Sequence, residues 1–123
     1  KWFKEYLAKF SSDTTLVVTV ASGTNGFGTG NKYYIGGVVT PSVNFVAGNT
    51  YIFDQSDSSN SSHPLRFSTT ANGTHGGGSQ YTTGVTVSGT AGSSGSTVTI
   101  AVTGSTPTLH YYCTNHAGMG GQA

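Results

Sequence analysis

The chain has 123 residues, enough for one domain and too few for two comfortable ones. Five basic and four acidic side chains leave a formal net charge of +1, which excludes a polybasic nucleic-acid surface. Glycine (19), serine (16) and threonine (20) dominate, yet 7 Tyr, 6 Phe and a Trp accompany them, so the bias reads as a turn-rich all-β domain and not as disorder. No run approaches the roughly 20 apolar residues of a membrane-spanning helix, and no stretch reads as a signal peptide. A start at Lys1 in place of Met is read as a chain processed or cut from something longer.

Residues 1–13 differ from all that follows. Trp2, Phe3, Tyr6, Leu7 and Phe10 fall within an arc of about 140° at the helical step, with Lys1, Lys4, Glu5 and Lys9 opposite. The expectation is a short amphipathic helix or linker. Its three lysines make only a weak basic face for a membrane surface, and a helix so short must dock on something to persist.

From Thr14 the period changes to two. Leu16, Val18 and Val20 alternate with Val17, Thr19 and Ala21, giving a first strand. Gly26, Gly28 and Gly30 follow and are expected in a loop opened by Asn25-Gly26; no helical pattern succeeds them, so they do not form a phosphate loop. Further strands are expected at 33–35, 37–40, 43–46, 51–55, 65–68, 85–87, 97–102 and 108–113, with loops at 57–62 and 71–80. The fold expected for residues 14–123 is all-β, a Greek-key sandwich or barrel of about eight strands. Val43, Phe45, Tyr51, Phe53, Leu65, Phe67, Val98, Ile100, Val102, Leu109 and Tyr111 share the inward parity of their strands.

A single cysteine cannot form an internal disulfide. In the oxidising compartment that this composition fits, a spare thiol would be a liability, so Cys113 asks for an explanation. It shares the inward parity of Leu109 and Tyr111, and His63 shares that of Leu65 and Phe67. Cys113, His116 and Met119 follow one another at a strand end, each separated from the next by two residues. One thiolate, two imidazoles and one thioether can thus converge, which is the ligand set of a mononuclear blue-copper centre.

These residues, with Tyr111-Tyr112 before the cysteine and the run Gly48-Asn-Thr-Tyr-Ile-Phe-Asp54 before the first histidine, resemble a cupredoxin of the plastocyanin and amicyanin type over about residues 14–121. The resemblance implies one-electron transfer, histidine coordination through Nδ1, and an electron exit at the edge of His116. It implies copper held by His63, Cys113, His116 and Met119, with a redox partner docking near His116. Pro64 departs from the family pattern because it has no N–H to offer the thiolate. Asn115 between Cys113 and His116 retains its N–H and is expected to supply that bond.

Other chemistries fail on content. There is no Gly-x-Ser-x-Gly elbow and no His-x-His pair for a trinuclear cluster, and one Cys cannot bridge a binuclear centre. Asp54, Asp57 and Asn60 lack the glycine and terminal glutamate of a calcium loop. His75 and His110 are expected at the surface, and the Asn-x-Ser/Thr triplets at Asn60 and Asn72 are expected by accident. The expectation is an extracytoplasmic, monomeric electron carrier and not an enzyme. The competing reading is a copper-binding interaction, structural or copper-delivery module cut from a larger surface protein.

Overall fold

The computed structural model describes residues 12–123, so the expected N-terminal helix lies outside the described residues except at its end, where Asp13 already belongs to a strand. Nine strands follow: β1 (Asp13–Asn25), β2 (Gly28–Ile35), β3 (Val38–Val39), β4 (Thr50–Asp54), β5 (Leu65–Ser68), β6 (Val85–Ser88), β7 (Thr97–Ala101), β8 (His110–Cys113) and β9 (Gly121–Gln122). Two 3₁₀ turns, Ser58–Asn60 and Gly73–Gly76, are the helical structure among the described residues.

The strands form a mixed six-stranded sheet, ordered β3-β2-β1-β4-β7-β6, and a three-stranded sheet, β5-β8-β9. The expected all-β class holds, but the arrangement is two sheets and not a closed barrel. β1 serves two neighbours in turn. Its first half runs parallel to β4, from Asp13 opposite Thr50 to Val17 opposite Asp54. Its second half runs antiparallel to β2, from Val18 opposite Ile35 to Asn25 opposite Gly28.

The period-two pattern decides what lies between the sheets. Val18, Phe53, Val98 and Ile100 from the large sheet meet Leu65, Phe67 and Tyr111 from the small one, all buried. Phe53 and Phe67 join them edge to face, with centroids 5.2 Å apart. Threonines and serines recur on the outward faces, with Val17, Val38 and Val87 exposed among them, so the exterior carries almost no charge.

Two local expectations are corrected. Residues 43–46 form no strand. The Val46 N–H donates to the Tyr51 hydroxyl at 2.7 Å and the Val43 N–H to the Gln122 carbonyl at 2.8 Å, so no continuous ladder remains. Val43 and Phe45 are accordingly half-buried, although Phe45 still packs on Tyr51 at 4.6 Å. The turn expected at Asn25-Gly26 is present, but it is a tight hairpin and not a longer loop, with Gly28 and Gly30 already in β2. Asn25 Oδ1 accepts the Phe27 N–H at 2.9 Å, and Gly28 takes φ +104°, which a side chain would resist.

Candidate metal centre

His63 is placed from both sides. Asp57 accepts the Ser59 N–H at 3.1 Å and opens the first 3₁₀ turn; the Asn60 carbonyl then accepts the His63 N–H at 2.8 Å. After His63 the chain passes through Pro64 into β5, whose Leu65 stands opposite Cys113, the last residue of β8. A strand register therefore brings together two residues fifty positions apart. His116 follows within the turn after β8, and Asn115 Nδ2 donates across to the Ser62 carbonyl at 3.0 Å, tying that turn to the His63 segment.

The ligand atoms of His63, Cys113 and His116 all lie within 4.8 Å of one another. Cys113 Sγ is 3.7 Å from Nδ1 of His63 and 3.7 Å from Nδ1 of His116. A metal ion with bonds of about 2.0–2.1 Å to nitrogen and about 2.3 Å to sulfur, opening an angle of about 120°, separates those atoms by about 3.8 Å. The two sulfur-to-nitrogen separations therefore fit a metal ion held between Cys113 and the two histidines. His63 and Cys113 are buried and His116 is exposed, so the group is accessible from one side. Burial, and then the neighbouring His116, hold the His63 imidazole below its ordinary range, which keeps it in the neutral form that a metal needs.

Met119 is buried in the same core cluster as Cys113. Its carbonyl accepts the Tyr33 N–H at 3.0 Å, which seats the loop on β2. Gly118 is gripped by three side chains from separate elements. Its carbonyl accepts from Asn25 Nδ2 at 2.9 Å and Lys32 Nζ at 2.7 Å, and its N–H donates to Asn72 Oδ1 at 2.8 Å.

Polar residues outside the expected ligand set form the support. Tyr33 donates its hydroxyl to the His63 carbonyl at 2.6 Å, and Gln55 Nε2 donates to the same oxygen at 2.8 Å and to Asn60 Oδ1 at 3.0 Å. Asn60 Nδ2 reaches the Val18 carbonyl at 2.8 Å, joining the His63 turn to β1. Burial, with Cys113 as the next cause, holds the Tyr33 phenol well above its ordinary range. Asn25-Gly26, a hairpin dipeptide, and Lys32, one of only two basic residues beyond residue 9, were the readable signals. Nothing in the periodicity marked Gln55.

His75 lies at the surface, as expected, but is not idle there. It is exposed, yet its Nε2 lies 2.7 Å from the Cys113 carbonyl, and its ring stands edge-on to Tyr112 at 6.3 Å. A carbonyl only accepts, so Nε2 carries the proton. His110 is half-buried on β8 opposite Ser68, and the structure brings it to no ligand group. Asn60 and Asn72 are occupied structurally, and the fully buried Asn60 is not open to a glycan. Compared with known proteins, the chain matches no family model, no curated sequence and no solved structure.

Proposed function

We propose that this domain is a mononuclear type 1 copper protein of cupredoxin-like Greek-key architecture, carrying single electrons outside the cytoplasm as a monomer. The observation that carries this reading is the convergence of His63, Cys113 and His116, with ligand atoms within 4.8 Å of one another. A soft thiolate beside two imidazoles favours copper over hard cations, and a thioether would suit a weak fourth ligand. Bound there by His63, Cys113 and His116, copper would supply a one-electron couple between Cu(II) and Cu(I).

The chain's own residues do the remainder. Cys113 gives up its proton and offers a thiolate. His63 and His116 offer Nδ1, the ring atoms that face the sulfur. Met119 offers its thioether as the fourth ligand. The register of β5 with β8 and the bonds at Gly118 hold these groups, so little rearrangement accompanies a change of oxidation state.

A partner meets the exposed edge of His116, flanked by the exposed Ala117 and Phe27 and the half-buried Pro64. With so few charges, encounter depends only weakly on ionic strength. The test is addition of Cu(II) to apoprotein. Intense sulfur-to-copper charge-transfer absorption in the visible is expected, and Cys113→Ser abolishes it. A colourless wild-type mixture refutes the reading.

A further inference from the structure

Lys32 is a charge that the metal site does not need for its ligands. On β2 it alternates with the inward-facing Tyr33, so its parity points away from the core, yet it is only 3% exposed. The cause is the ligand loop: Met119 and Gly118 fold over β2, and Gly118 O takes the Lys32 ammonium at 2.7 Å. Its partner is a backbone carbonyl and not a carboxylate. Asp54 and Asp57 bond instead to Ser56 and Ser59.

Burying an ammonium is costly, and a neutral donor would hold a carbonyl at less expense. The same carbonyl already accepts from Asn25, and the Gly118 N–H is held by Asn72. Anchoring alone therefore does not account for a buried positive charge at this position. What distinguishes Lys32 from Asn25 and Asn72 is its field.

The geometry points to Lys32 as the residue that sets the redox balance of the His63–Cys113–His116 site, acting through its charge on the loop that carries His116 and Met119. The inference rests on the copper reading above. One thiolate and two neutral imidazoles leave the cupric site with a net charge of +1 and the cuprous site neutral. A fixed cation nearby disfavours the first state relative to the second, so it raises the reduction potential. For a unit charge on the order of 10 Å away at an effective dielectric of about 20, the preference changes about tenfold; for a one-electron couple that is about 59 mV. Lys32 is a positioning and tuning residue and does not touch the metal.

The test compares the wild type with Lys32→Gln, which keeps a donor and loses the charge, and Lys32→Arg, which keeps both. Cu(I) and Cu(II) affinities are measured by competition with chelators, the potential by voltammetry, and apoprotein stability by thermal unfolding. The Cu(I)-to-Cu(II) affinity ratio is expected to fall about tenfold in Lys32→Gln and to stay within about twofold in Lys32→Arg. If Lys32→Gln does not fold, Lys32→Met, with an apolar stem of similar length, is expected to show the same fall. A variant that weakens both oxidation states together at constant ratio identifies a merely structural lysine and overturns the inference. So does a Lys32→Arg protein that behaves like Lys32→Gln. A wild type that stays colourless with cupric salt overturns the copper reading itself, whereas a blue wild type indifferent to Lys32 overturns this inference alone.

Discussion

Gln55 grips His63 across a proline. Its Nε2 donates to the His63 carbonyl at 2.8 Å while its Oε1 accepts the Leu65 N–H at 3.0 Å, so the two bonds straddle Pro64. Pro64 has no N–H, and the peptide groups beside it would be left to themselves in a buried place. The second Nε2 hydrogen goes to Asn60 Oδ1, and Tyr33 adds a second donor to the His63 carbonyl. The main chain that carries His63 is thereby fixed by residues of the core.

Removal of this amide is expected to be costly. Gln55→Leu leaves the Leu65 N–H and the Asn60 Oδ1 without their partners, and each buried unsatisfied group costs about 1–3 kcal/mol. The expected loss is about 3 kcal/mol in denaturant unfolding of the apoprotein, or a fall in Tm on the order of 10 °C. A loss below about 0.5 kcal/mol, the range of an ordinary surface change, refutes the role.

How much of this was legible in the sequence depends on the kind of contact. Leu65, Phe67, Tyr111 and Cys113 were readable because strand parity is a local property that burial repeats every second residue. Cys113, His116 and Met119 were readable because they are close in sequence, and His63 because it stands two residues before β5 in the parity of Leu65 and Phe67. The burial of Gln55 and Asn60 was not, nor was that of Lys32, which stood out only as an isolated charge, since each is buried by a segment distant in the chain and no local pattern announces a covering loop. Residues 43–46 show the converse. Their alternation is that of a strand, but Tyr51 and Gln122 take the N–H groups at 46 and 43, and tertiary packing overrides propensity.

Gly120 is expected to be intolerant. A methyl group there runs into the Tyr111 carbonyl, on the strand that ends in Cys113. Gly120→Ala must lift the ligand loop from β8 and break the pairing of Gly121 with Tyr111. Metal affinity is expected to fall about 10–100-fold, as when residues supporting ligands are lost. Gly26→Ala, at a hairpin tip with nothing within 4 Å, serves as the control; its unfolding midpoint is expected to stay close to the wild type's. Equal behaviour of the two variants contradicts the assignment.

Stability should also fall in alkali. Burial raises the phenols of Tyr33 and Tyr111 above the ordinary value of 10, and Tyr111 donates its proton to the Pro41 carbonyl at 2.7 Å. A group whose folded value is raised contributes stability in full below its unfolded value and loses it as the pH rises beyond. The unfolded chain releases these protons near pH 10 while the folded chain retains them, so each contributes a slope of about 1.4 kcal/mol per pH unit above that point. Tyr111→Phe should remove one such slope between pH 10 and 12, measured as the difference between two urea series. Parallel pH profiles for variant and wild type would show that Tyr111 ionises as readily folded as unfolded.

Met119 offers the sharpest separation of packing from coordination. Its side chain lies in the buried cluster with Cys113, so shape alone would make leucine a tolerable replacement, with a change under about 1.5 kcal/mol. Coordination predicts more. A thioether donates electron density to the oxidised ion, and the potential of such a centre is set in part by its axial ligand. Met119→Leu removes that donation and leaves the thiolate and both imidazoles in place. The visible charge-transfer band is therefore expected to persist while the reduction potential rises. Voltammetry on the purified variant reads the shift directly: a rise with an intact band assigns the thioether to the metal, whereas an unmoved potential leaves Met119 as a core residue beneath a three-ligand site.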